Sequence, residues 1–188
     1  MNVTPTKGKA QALQTATLGG GCFWCIEAVY QQLQGVESVV SGYAGGEMPD
    51  PDYEAVCEGD TGHAEVVQVT FDPSVTTYRE ILEVFFTVHD PTTMNQQGGD
   101  VGEQYRSVIF THDAEQEREA RAIIRELTDE EAFADPIVTQ VESLEAFYPA
   151  EGYHQDYYRQ NPGQGYCRAI IAPKLAKFRK RWQAKLKG

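Results

Sequence analysis

Two cysteines three residues apart, Cys22 and Cys25, flank Phe23 and Trp24 and follow the run Gly19-Gly20-Gly21. In a chain with only 4 cysteines, a Cys-x-x-Cys pair points to thiol redox chemistry or to a metal knuckle. Zinc usually wants four convergent ligands from two such pairs, and here Cys57 and Cys167 stand alone, so no metal is expected. Ile26, Val29, Tyr30 and Leu33 recur at helical spacing, which places Cys22 at the start of a helix over residues 22–34. Free N–H groups at a helix start favour an anion. An ordinary thiol, with a pKa of about 8.5, is only ~3% ionised at pH 7. The helix start is therefore expected to lower the Cys22 pKa toward neutrality and make it a nucleophile. The glycines are expected to let a substrate approach the backbone. Phe23 and Trp24 cannot both face the core easily, so at least one should line a pocket for an apolar group. The alternative for the same residues is a buried cysteine packed on aromatics. Cys25, at i+3, can reach Cys22 and close a disulfide.

Glu65 is the second informative residue. Side chains alternate along a strand, so over residues 64–71 Glu65 shares a face with Val67, Val69 and Phe71. A carboxylate there is costly unless hydrogen-bonded or protonated. Burial should raise its pKa, which suits a general acid near neutral pH. A glutamate reaching water at the strand end is the competing description.

The elements that must position these groups alternate. Strands are expected at 16–18, 36–43, 64–71, 105–111 and 137–144. Helices are expected over 22–34, from the capping box at Thr77 to about His89, and from Asp113 through Ala120, Ile123, Ile124 and Leu127. Residues 45–60 and 92–102 read as loops, and a short helix falls near 154–159. The order through residue 111 is β-α-β-β-α-β, which predicts an α+β, two-layer sandwich with a ferredoxin-like core order and helices on one face. The expected organisation is one catalytic domain over 1–188, with its core at about 14–172 and a C-terminal extension. Leu175, Phe178, Trp182 and Leu186 predict a basic amphipathic helix over about 173–188, docked on an acidic body.

Net charge is −12, but residues 1–171 carry 9 Lys and Arg against all 28 acids, while 172–188 carry the other 7 cations. An acidic body disfavours nucleic acid. No run approaches the ~20 apolar residues of a membrane span, and residues 1–14 lack an apolar leader core. A cytoplasmic monomer is expected, with no membrane partner.

Gly-Gly-Gly-Cys-Phe-Trp-Cys at 19–25 resembles the active-site signature of the peptide methionine sulfoxide reductase A family. The similarity continues through Val39-Val40-Ser41-Gly42-Tyr43-Ala44-Gly45-Gly46, Tyr53-Glu54-Ala55-Val56-Cys57 and Gly59-Asp60-Thr61-Gly62-His63-Ala64-Glu65. It extends through His89-Asp90-Pro91, Gly98-Gly99-Asp100, Gln104-Tyr105-Arg106-Ser107, Tyr153-His154-Gln155-Asp156-Tyr157 and Gly165-Tyr166-Cys167, covering roughly residues 17–168. The resemblance implies thiol-dependent reduction of the S epimer of methionine sulfoxide, free or in proteins, in repair after oxidative damage. It implies Cys22 as nucleophile, Glu65 as general acid, and Tyr53 and Tyr105 as hydroxyls on the sulfoxide oxygen. Phe23 and Trp24 match the methyl pocket, Asp100 and Tyr166 match substrate-site residues, and Cys167 matches the resolving cysteine. No cofactor is bound on this reading; thioredoxin is the external reductant and partner. Many members carry glycine where this chain has Cys25, so Cys25 stands as the alternative resolving thiol, and Cys57 reads as structural.

Overall fold

The computed structural model describes residues 11–188. The beginning of the polar N-terminal stretch, residues 1–10, lies outside the described residues. Among the described residues no helix is long and apolar enough to cross a membrane.

A six-stranded sheet organises the molecule. Its strands are β1 (Gln14–Gly19), β2 (Val36–Ala44), β3 (Ala64–Phe71), β6 (Val108–Thr111), β7 (Gln140–Ser143) and β8 (Phe147–Pro149), arranged β7-β6-β1-β3-β2-β8. Only the β6–β7 pair is parallel; the other pairs are antiparallel. Helices α1 (Phe23–Tyr30), α2 (Tyr53–Glu58), α3 (Tyr78–Val88), α4 (Ala114–Asp129), α5 (Tyr157–Gln160) and α6 (Ala172–Arg181) complete the main elements. Strands β4 (Gln96–Gln97) and β5 (Asp100–Val101) form a separate hairpin.

One large apolar cluster joins Leu18, Val67, Val69 and Phe71 to Ile26 and Val29 of α1, Leu82 and Phe85 of α3, and Leu175 and Phe178 of α6. Alternation sends Ala44, Ala64, Val66, Val108 and Phe110 to the opposite sheet face, where Phe147 and Leu144 cover them. Glu65 is therefore committed to the helix-bearing face. The Thr77 capping box that opens α3 is complete, with each side chain bonded to the other residue's backbone N–H.

The basic tail is helical but shorter than its apolar spacing predicts. A π-helical turn at Cys167–Ile171 precedes α6, which ends at Arg181. Trp182 leaves the helix and donates its indole N–H to Thr87 Oγ1 at 3.1 Å, and Leu186 bridges to Leu33. Residues 45–60 are not wholly loop. Asp52 caps α2 by accepting the Ala55 N–H at 2.8 Å, and Gly59 closes it in the left-handed region. The short, glycine-flanked helix shows too little periodicity to be read from sequence. Residues 103–105 form a 3-10 turn rather than strand, which leaves β6 to begin at Val108.

Candidate active site

Cys22 is the N-cap of α1, in extended conformation, at the end of the triple-glycine turn from β1. Two of the glycines are also required by how the protein packs on itself. A Cβ on Gly20 would meet the His89 ring at 2.9 Å. Gly21, with φ +90, lies against Gln97, whose Cγ would stand 2.7 Å from an added Cβ.

Glu65, 1% exposed, accepts the Phe23 backbone N–H at 3.1 Å through Oε1. A free donor at the start of α1 is thus occupied by a carboxyl group, next to Cys22. Burial pushes the Glu65 pKa up to about 8, against the lowering effect of the Phe23 N–H; the charges of Asp100 and Cys25 add to the rise. Glu65 is mostly protonated at neutral pH.

The Cys22 thiol departs from the expectation of a depressed pKa. Its pKa stands well above the ordinary value, chiefly because the sulfur is buried. The neighbouring Cys25 thiol and the charge of Glu65 add to this, and the Trp24 N–H opposes it. Burial outweighs the helix terminus here. The neighbouring Cys22 thiol brings Cys25 down to about 7, against the effect of burial. Cys25 stands three residues on from Cys22, within the first turn of α1.

Tyr53 opens α2 and Tyr105 closes the turn before β6. Both phenols are raised, first by burial, and both feel the charge of Glu65. Asp100 accepts the Tyr166 hydroxyl at 2.7 Å, and that hydroxyl lies 3.7 Å from Cys25 Sγ. Phe23 is buried, with its ring centroid 5.8 Å from Tyr43 and 5.1 Å from His154. Trp24 is half-buried and lies 5.9 Å from Tyr166, edge to face.

Cys22, Glu65, Tyr53, Tyr105, Phe23, Trp24, Asp100, Tyr166 and Cys25 therefore gather at the start of α1. Cys167 stands in the π-helical turn that precedes α6. It is fully buried there, and burial first, then the charge of Cys25, raise its thiol. A glycine-rich approach at Gly163 and Gly165 leads into this turn, but the sulfur itself is enclosed. Cys57 is exposed on α2.

Two residues with no role assigned from the sequence belong to this constellation. His154 Nδ1 accepts the Trp24 indole N–H at 3.1 Å, and Tyr157 stacks on Trp24 at 3.8 Å and 5°. With Nδ1 accepting, a neutral ring carries its proton on Nε2, and that buried atom has no hydrogen-bond partner. The only sequence signal was the motif in which both stand. Among the described residues no cluster of three or more His, Cys, Asp and Glu could hold a metal ion.

The family model described as peptide methionine sulfoxide reductase matches residues 14–186. A relative from Polynucleobacter asymbioticus, "Peptide methionine sulfoxide reductase MsrA", is 61% identical over 172 residues, covering 92% of this chain and 90% of its own. The solved methionine sulfoxide reductase A of Corynebacterium diphtheriae superposes with a TM-score of 0.79 at 35% identity, covering 87% of this chain and 80% of that one. Reduced Mxr1 of Saccharomyces cerevisiae gives 0.77 at 40% identity, with 82% of this chain and 89% of that chain covered. The same yeast protein has been solved in complex with Trx2, at a TM-score of 0.55, 28% identity and coverage of 81% and 91%. With the family model spanning residues 14–186 and the relatives matched over most of their length, the chain belongs to the peptide methionine sulfoxide reductase family of oxidoreductases.

Proposed function

We propose that the chain reduces the S epimer of methionine sulfoxide, free and in proteins, with Cys22 as nucleophile and Glu65 as general acid. The observation that carries this reading is the pairing of a buried carboxyl with a thiol at one helix start, Glu65 lying on the Phe23 N–H beside Cys22.

The sulfoxide oxygen is a poor leaving group and needs a proton as sulfur is attacked. Glu65 supplies it, with the Tyr53 and Tyr105 hydroxyls holding the oxygen. Phe23 and Trp24 receive the methyl group, and Asp100 and Tyr166 border the same space. Cys22 attacks the substrate sulfur as the thiolate, its proton lost to solvent, and an Sγ–sulfur bond forms. The oxygen protonated by Glu65 then moves from the substrate sulfur to Cys22 Sγ as the new Sγ–sulfur bond breaks; the substrate sulfur keeps that electron pair and leaves as methionine, and Cys22 is left as a sulfenic acid. A second thiol then attacks Cys22 sulfur, a disulfide forms, and the oxygen departs as water.

Cys25 and Cys167 compete for that step. The i, i+3 spacing from Cys22 favours Cys25, and Cys167 must move out of its buried turn to reach Cys22. This reverses the order implied by the family resemblance. A dithiol protein of the thioredoxin type reduces the disulfide by exchange; the yeast relative solved with Trx2 supports this. The chain works as one cytoplasmic domain. Incubation with methionine sulfoxide and dithiothreitol tests the reading: methionine is expected, and no methionine from either epimer overturns it.

A further inference from the structure

Glu27 lies on α1, one turn beyond Phe23 and Trp24, yet it points inward and is 2% exposed. A buried carboxyl must find partners. Oε2 accepts the Ser41 hydroxyl of β2 at 2.9 Å. Oε1 accepts the Asp156 backbone N–H, and also Gln31 Nε2 at 3.2 Å. Among the described residues Glu27 has no ion-pair partner; Arg159 pairs with Asp156 instead.

The Asp156 bond matters because of what flanks it. Asp156 has φ +56, a conformation a non-glycine residue adopts only when its surroundings impose it. Its neighbour Gln155 completes the hold. The Gln155 side chain accepts the Ser41 N–H at 2.9 Å and donates to the Ser41 carbonyl at 2.8 Å. Residues 155 and 156 are thus hooked to one point on β2, directly and through Glu27. On one side of the hook His154 accepts the Trp24 N–H, and on the other Tyr157 stacks on the same indole. The α5 helix that Tyr157 opens has no buried residue, so apolar packing supplies little of the hold.

We propose that Glu27 is a positioning residue for the substrate-facing aromatic wall: by anchoring Asp156 to α1 and β2, it clamps Trp24 between His154 and Tyr157. This rests on the reading above for the identity of the substrate, but not for the clamp itself. Glu27→Gln keeps a carbonyl oxygen for the Asp156 N–H, and its amide can donate to a reoriented Ser41 hydroxyl. Glu27→Leu keeps the volume and removes every acceptor.

The test uses the full chain with Trp182→Phe, which leaves Trp24 as the only indole. Glu27→Leu should shift the Trp24 emission and raise KM for methionine sulfoxide about tenfold, with kcat in dithiothreitol little changed, as expected when uniform binding is lost. Glu27→Gln should restore both. If Glu27→Leu does not fold, Ser41→Ala carries the test, with a KM rise of about fivefold for one hydrogen bond. Unchanged emission and KM in the folded variant used would overturn the proposal, and so would a fall in kcat at constant KM. Absence of turnover in the parent protein would instead count against the substrate reading, while the emission arm still reports on the clamp.

Discussion

Glu65 Oε1 stands 3.1 Å from the Phe23 backbone nitrogen, so the carboxyl caps the very helix whose N-cap is Cys22. The two groups on which the chemistry rests are thereby fixed to one another through a single peptide unit. The acid is kept protonated by burial on β3, and the thiol is held at the mouth of α1.

Replacing the nucleophile is the simplest perturbation. Cys22→Ser should abolish methionine formation with dithiothreitol, because an alcohol is far less ionised and cannot form a sulfenic acid. Substantial residual turnover in a product assay would contradict the assignment of Cys22.

Glu65→Gln removes the proton but keeps the shape and one acceptor for the Phe23 N–H. We expect a loss of about 10²–10⁴-fold in kcat, the usual range for general acid–base help. With its pKa at about 8, the Glu65 acid form declines above that pH, so wild-type kcat should fall on the alkaline side. The variant should lack that limb. A pH–rate profile with the same alkaline limb in both proteins would show that another group titrates.

The raised pKa also affects stability. Glu65 moves from an ordinary 4.5 to about 8 on folding, so its favourable contribution is complete below about 4.5 and is lost as pH rises through 8. Glu27, raised to about 7 by burial, acts in the same direction. His89, buried and lowered to about 4, acts oppositely but is spent above its ordinary 6.5. Between pH ~6.5 and ~8 the Glu65 effect alone should lower stability by about 2 kcal/mol. Urea melts across that range should show a shallower decline for Glu65→Gln; parallel curves would show that the carboxyl ionises as freely in the native state as in the unfolded one.

Resolution of the sulfenic acid separates the two candidate thiols. With Cys25 three residues from Cys22 on α1 and Cys167 enclosed in its turn, Cys25→Ser should stall turnover with thioredoxin after one methionine is released, and Cys167→Ser should be less impaired. Disulfide mapping after that turnover in wild type should find Cys22 joined to Cys25. Normal recycling in Cys25→Ser with a stall in Cys167→Ser would restore the opposite order.

Much of the site was legible before any coordinates. Period-two alternation along residues 64–71 put Glu65 on the apolar face, and a 3.6-residue period after Cys22 put the thiol at a helix start. Both are local patterns. The state of Cys22 was not legible, because its pKa depends on how deeply the sulfur is buried and on which donors remain free, and Glu65 takes the Phe23 N–H from across the sheet. The roles of His154 and Tyr157 were hidden for the same reason: they meet Trp24 only after a separation of more than a hundred residues has been closed. Glu27 reads as one polar position on an amphipathic helix until Ser41 and Asp156 are brought to it.

The most direct test mixes reduced protein with equimolar S-epimer methionine sulfoxide, without any reductant, and follows methionine and the state of each cysteine by mass spectrometry. The account predicts methionine in stoichiometric yield, with Cys22 oxidised in every molecule that has turned over. Methionine formed while Cys22 remains a free thiol, or no methionine at all, would contradict it.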